Sequence, residues 1–171
     1  MKRLAIIGVV LISVSGCSAK YSSTDVQPST ELLVKGKPVV ISTPADGVYE
    51  AQRYAGSGDA TALSVRAAFL KYTDNTEVIA NCDKFSCLKE NHKISDGYYA
   101  FPQILHWEDR ATEWSGKPDI IAIKITVYNA ASDNIISSTI INGKSKWATF
   151  GGDHPQDLLA KPVSEYISSL Y

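Results

Sequence analysis

At 171 residues, with 44% hydrophobic and 20% charged side chains, the chain suits one domain with a sizeable core. Its 17 Lys and Arg against 18 Asp and Glu leave a formal charge of −1, so no positive field exists to gather phosphates, which argues against a nucleic-acid partner. After the N-terminal leader, no apolar run is long enough to span a bilayer.

The leader itself, "MKRLAIIGVVLISVSGC", has a basic start at Lys2 and Arg3, an apolar run from Leu4 to Val14, and small residues before Cys17. That pattern is a secretory signal, too short to persist as a membrane helix. The ending "VSGC" resembles the bacterial lipobox, which implies cleavage before Cys17 and acylation of that cysteine. Several acyl chains on one residue anchor durably, each buried methylene contributing about 0.8 kcal/mol. Ser18, where a retention signal would carry Asp, is similar to the pattern that sorts lipoproteins to the periplasmic face of the outer membrane in Gram-negative cells. Losing residues 1–16 removes Lys2 and Arg3 and takes the formal charge to about −3. The expected organisation is a signal peptide at 1–16, a lipidated Cys17 with a flexible tether at 17–37, and one α/β domain at 38–171.

Residues 18–37, rich in Ser and Thr with little apolar periodicity, read as that tether, although Leu32 and Leu33 are placed to dock on the domain. "KPVVISTPADG" gives a short strand over 39–43, stopped by Pro44 and a turn at Asp46-Gly47. From Asp59, apolar groups at Leu63, Ala67 and Leu70 predict an amphipathic helix. "TEVIAN" is a second strand, and "NCDKFSCLK" leads into a weak helix over about 87–94, ended by Asp96-Gly97. With Cys17 acylated, Cys82 and Cys87 remain as an even pair in an oxidising compartment, where a disulfide is the default. Such a ring stabilises by roughly 2 kcal/mol in the loop-entropy model. A metal pair would lack two further ligands at suitable spacing, and a redox dithiol more usually reads C-x-x-C.

"YYAFPQILHWE" is a third strand whose Pro102 argues for an edge or a bulge. In "DIIAIKITVYNA", Ile121, Ile123, Ile125 and Val127 face one way and Ala122, Lys124, Thr126 and Tyr128 the other. "ASDN" turns it into "IISSTIING" as a hairpin. In the closing stretch Asp153 is a candidate N-cap with Pro155 just inside the helix, and Pro162 forces a kink or a restart. The order β-α-β-α-β-β-β-α predicts a single mixed sheet of about five strands with helices packed on it, an α/β (α+β) class.

The densest chemistry lies in "HWEDRATEWSGKPD" at 106–119. On a strand, His106, Glu108 and Arg110 share one face, with Trp107 and Asp109 on the other. The group suits three roles: an ion-pair corner built around Arg110, a partner surface, or a general acid and base from His106, Glu108 and Asp109. Trp and Arg on a loop beside Gly116 and Pro118 have the composition of a binding hot spot, and Trp114 is better placed than Trp107 for exposure. "YAGSG" at 54–58 opens a helix as an anion-binding loop would, but lacks the Lys of a P-loop and the G-x-G-x-x-G spacing, so a flexible helix entry capped by Ser57 or Asp59 is the plainer reading. In "FGGDHP" the glycines permit a tight turn, and His154 reads as a cap residue rather than a ligand.

The lipobox, "DGVYEAQRYAGSG", "PQILHWEDRATEWSGKPD" and "KSKWATFGGDHPQDLL" together resemble a family of bacterial envelope lipoproteins known only as a domain of unknown function. The order of elements is similar to the small α/β domain of curli-secretion and penicillin-binding-protein-activator lipoproteins and of the Tol system's periplasmic protein, which implies docking onto other envelope components at the level of fold alone. The resulting expectation is a non-enzymatic lipoprotein with no cofactor, metal or catalytic residue, anchored through Cys17, whose contact group is Trp107, Arg110, Glu113, Trp114 and Lys117 and whose partner is an envelope protein or peptidoglycan. A glycan or cell-wall hydrolase using His106, Glu108 and Asp109, and a homo-oligomeric assembly, are the rival readings.

Overall fold

The alternating isoleucines of 120–129 become one of the long inner strands of a six-stranded sheet. The computed structural model describes residues 19–110, 116–146 and 154–171. Its strands are β1 (Lys20–Gln27), β2 (Val39–Ser42), β3 (Val48–Tyr49), β4 (Gln52–Arg53), β5 (Thr76–Ile79), β6 (Tyr98–Glu108), β7 (Ile120–Asn129) and β8 (Ile135–Lys144). The helices are α1 (Ser57–Phe69), α2 (Phe85–Asn91) and α3 (Ala160–Ser168), with a 3-10 turn at Pro155–Leu158. The sheet runs β1-β8-β7-β6-β2-β5, and β3 and β4 form a separate small hairpin. Neighbours are antiparallel from β1 to β6, whereas β2 lies parallel to both β6 and β5.

The period-2 pattern decides the faces. Ile121, Ile123, Ile125 and Val127 are fully buried and share the main core with Val65 and Phe69 of α1 and Val163 and Ile167 of α3. Each such side chain contributes about 1.5–3 kcal/mol by leaving water. The opposite face holds a smaller core of Val40, Ile79, Cys82, Leu88 and Tyr99, closed by α2. Cys82 and Cys87 are bonded, with Cα atoms 5.7 Å apart, fixing the start of α2 over this second core.

Two differences from the sequence reading are instructive. The stretch read as a tether is corrected: Lys20–Gln27 is β1, paired with β8 from Lys20↔Lys144 to Gln27↔Ser138, which raises the sheet to six strands. Its side chains are mostly exposed, so no apolar alternation marked it, yet backbone pairing along the edge of β8 needs none. Leu33 docks as expected, at 5% exposure, while Leu32 stays outside.

The apolar stripe of α1 is also corrected. The buried face is Thr61, Ala62, Val65, Ala68 and Phe69, whereas Leu63 and Leu70 are exposed. Small Ala62 and Ala68 let the helix lie close to the sheet while Val65 and Phe69 fill the space between. Towards the C-terminus, Asp153 lies outside the described residues, and His154 is the N-cap of the 3-10 turn, its backbone N–H donating to Asp157 at 2.9 Å. Pro162 falls in the first turn of α3, so the helix restarts before it as expected.

Candidate functional site

The final turn of β6 is shaped by one extra residue. The β6–β7 register runs Ile104↔Ile123 and then His106↔Ala122, leaving Leu105 unpaired and half-exposed in a bulge. The insertion shifts the side-chain alternation, so that Ile104 and Trp107 both join the main core while His106 and Glu108 take the opposite face. Pro102 sits two residues past the last β2 pairing, Ile41↔Ala100, where β6 has lost its strand neighbour on that side. Edge and bulge are thus both present.

Glu108 is the centre of a closed corner. It is 3% exposed, its Oε1 lies 2.9 Å from His106 Nε2, and its Oε2 accepts from Arg110 Nε. Tyr49 of β3 completes the group, its ring edge-on to His106 at 5.0 Å and beneath the Arg110 guanidinium at 5.9 Å. Burial pushes the Glu108 pKa up, but the hydrogen bonds and charges of Arg110 and His106 outweigh it and hold the carboxyl below its ordinary value. The Glu108 charge in turn raises the Tyr49 hydroxyl, and its hydrogen bond raises the Arg110 guanidinium. The Arg110 backbone N–H donates to fully buried Asp119 at 2.7 Å, and Asp119 is bonded through its own N–H to Ser145 at 2.9 Å. The corner is therefore braced against the end of β8.

Asp109 points away from this group, with its Oδ2 3.7 Å from His154 Nδ1. It lines a cleft of about 510 Å³ shared with Arg53, Tyr54, Gly56, Trp107 and His154. Trp107, expected as a contact residue, is largely buried at 3% exposure; it joins the main core, lines the cleft, and packs flush on Gly47, where an added Cβ would come within 2.5 Å of its own Cβ.

The "YAGSG" loop ends with Gly56 at φ 85 and opens α1, but the carboxylate that reaches the helix start is Asp46, not Ser57 or Asp59. Asp46 accepts from the Gly58 N–H at 3.0 Å and pairs with Arg53 at 3.1 Å. Burial works to raise its pKa, and these two partners lower it overall. Ser57 Oγ accepts from the Gly47 N–H at 2.8 Å and donates to the Tyr54 carbonyl at 2.7 Å, tying the two loops together. An anion site at this helix start is filled by the protein's own carboxylate.

Of the expected contact residues, Arg110 lies in the closed corner and Lys117 is exposed beyond it; Cys17, Glu113 and Trp114 lie outside the described residues. Tyr49 and Asp46 were not foreseen as members of either group. "DG" at 46–47 signalled a turn, and nothing local indicated that the turn carboxylate would cap α1. Among the described residues no cluster of three His, Cys, Asp or Glu is arranged for a metal, and no helix is long and apolar enough to cross a membrane.

Comparison with known proteins places this geometry. The model of a domain of unknown function, DUF4823, matches residues 31–170. The chain belongs to that family. A comparison with curated proteins finds no match. Among solved structures, this DUF4823 chain is similar to the PelC dodecamer from Paraburkholderia phytofirmans, with a TM-score of 0.57 and 12% identity over 85% of this chain and 95% of that one. It is also similar to a Xanthomonas campestris protein of the DUF330 family, with a TM-score of 0.50 and 14% identity over 84% and 90% of the two chains. At these identities the likeness is one of fold.

Proposed function

We propose that this protein is an outer-membrane lipoprotein, acylated at Cys17 and facing the periplasm, whose domain acts by binding an envelope partner and not by catalysis. The observation that carries the non-catalytic reading is the state of Glu108. Both its oxygens are engaged by His106 and Arg110, it is buried, and its pKa is lowered, the opposite of what a general acid in glycan hydrolysis needs. Asp109, the second carboxylate of that rival reading, lies on the other face against His154.

Binding is supported by the open cleft above Trp107, whose polar lining includes Arg53, Asp109, His154 and Gln156; Arg110 and Lys117, outside that cleft, lead into the segment that carries Glu113 and Trp114 in the sequence. A photo-crosslinker at Lys117 in the intact envelope, read by mass spectrometry, tests this. Crosslinks to one protein or to peptidoglycan, lost in folded Trp114→Ala and Arg110→Ala variants, support the reading; unchanged capture in both variants overturns it. Self-assembly is a second reading, prompted by the dodecameric state of PelC, and a monomer at micromolar concentration in mild detergent would exclude a stable ring.

A further inference from the structure

We infer that the domain stands end-on against an anionic lipid surface, with the end of the sheet that carries Lys20, Lys144 and Lys146 seated on the headgroups. The inference rests on the proposed acylation of Cys17 and adds an orientation to it. Ala19 already packs against the main core, and Lys20 begins β1. Only Ser18 separates Cys17 from Ala19, so the anchored residue reaches at most about 7 Å from the folded body, at roughly 3.3–3.6 Å per residue. A domain so short of slack cannot be lifted away from the bilayer or turned over on it.

The pairing then fixes which end faces the lipid. Lys20 lies opposite Lys144, Lys144 opposite Ile120, and Ile120 opposite Glu108, so the start of β1, the end of β8, the start of β7 and the end of β6 share one end. Lys20, Lys144 and Lys146 are exposed and form no ion pair with an acid among the described residues. Among the described residues, the acids at the ends of β6 and β7 are engaged: Glu108 by His106 and Arg110, Asp119 by the Arg110 N–H, Asp109 by His154; the exposed acids Glu50, Asp59 and Asp83 lie in the segments that follow β2 and β5, away from the β1–β8 edge. What the β1–β8 side of this end, the side nearest the anchor, offers the lipid is therefore a set of lysines whose charge complements anionic headgroups. The cleft above Trp107 lies towards the same end, so a partner seated there would meet the protein beside the headgroups.

The test uses the acylated protein in vesicles of phosphatidylethanolamine and phosphatidylglycerol, with a fluorophore on Lys144→Cys in one variant and on Ala131→Cys, in the turn at the opposite end, in another. A quencher on the lipid headgroups reads proximity, and intact mass reads acylation. The expected result is several-fold stronger quenching at 144 than at 131. Equal quenching in protein shown to be acylated at Cys17 overturns the orientation alone; a product without lipid at Cys17 overturns the anchor and the orientation together.

Discussion

At the end of the sheet where β6 begins, the structure is closed by its own side chains. Tyr72 and Tyr171 stack at 4.0 Å, the Leu33 N–H donates to the Leu170 carbonyl at 2.7 Å, and Lys37 and Lys89 pair with Asp96 and Asp133. At the end where β6 finishes, Glu108 and Asp109 are turned to Arg110, His106 and His154, while Lys20, Lys144 and Lys146 on the β1–β8 side remain on the outside. What differs is whether these lysines are paired within the molecule or left for something outside it.

The sharpest way to break this comparison is to truncate the aromatic beneath the outward-looking end. Trp107→Ala is expected to cost about 3–5 kcal/mol of stability by denaturant unfolding, as a buried Trp does. A loss below about 0.5 kcal/mol would mean that Trp107 is a surface residue and that the cleft has no fixed floor.

Next in size is the closed corner. Glu108→Gln removes the carboxylate that pairs with Arg110 and His106 and is expected to cost about 1–3 kcal/mol at neutral pH. The pH dependence has a definite sign. Because the folded pKa is lowered, the stabilisation from Glu108 is fully present above its ordinary value of 4.5 and is lost as pH falls through the lowered one. The gap between wild type and variant should therefore close in acid; a gap that widened on acidification would refute the ion-pair account of the corner.

At the inward-looking end, Tyr171 Oη is buried with no hydrogen-bond partner among the described residues, and burial first, then the neighbouring Tyr98 and Tyr72, push its pKa up to about 12. Its contribution is constant below the ordinary value of 10.0 and is lost as pH rises from there to about 12. Tyr171→Phe should keep or raise stability by up to about 1 kcal/mol at neutral pH, since an unpaired buried hydroxyl is costly. It should also flatten the alkaline unfolding limb. Smallest of all, Lys144→Glu with Lys146→Glu should leave stability within about 0.5 kcal/mol by thermal unfolding, as exposed substitutions do, while weakening contact with anionic vesicles.

Much of this was legible in the residues. The isoleucines of β7 announced a half-buried strand, Pro102 an edge or bulge, and the spacing of His106, Glu108 and Arg110 a shared face, because period-2 geometry is local. β1 was not legible: a Ser- and Thr-rich edge strand is stabilised by backbone pairing with β8, a partner more than a hundred residues away in the chain. The buried face of α1 was misplaced for a related reason. Leu63 and Leu70 outweigh Ala62 and Ala68 in hydrophobicity, but the tight approach of helix to sheet selects the small residues. Asp46 and Tyr49 reach their sites through loop and hairpin geometry that no short pattern encodes.

The most direct measurement is the intact mass of the protein extracted from the native membrane. Anchorage at Cys17 predicts the mass of residues 17–171 carrying the disulfide and acyl groups on the first residue. A product of unprocessed mass, or a lipid-free one, would contradict it and leave the short span to Ala19 without consequence for how the domain stands.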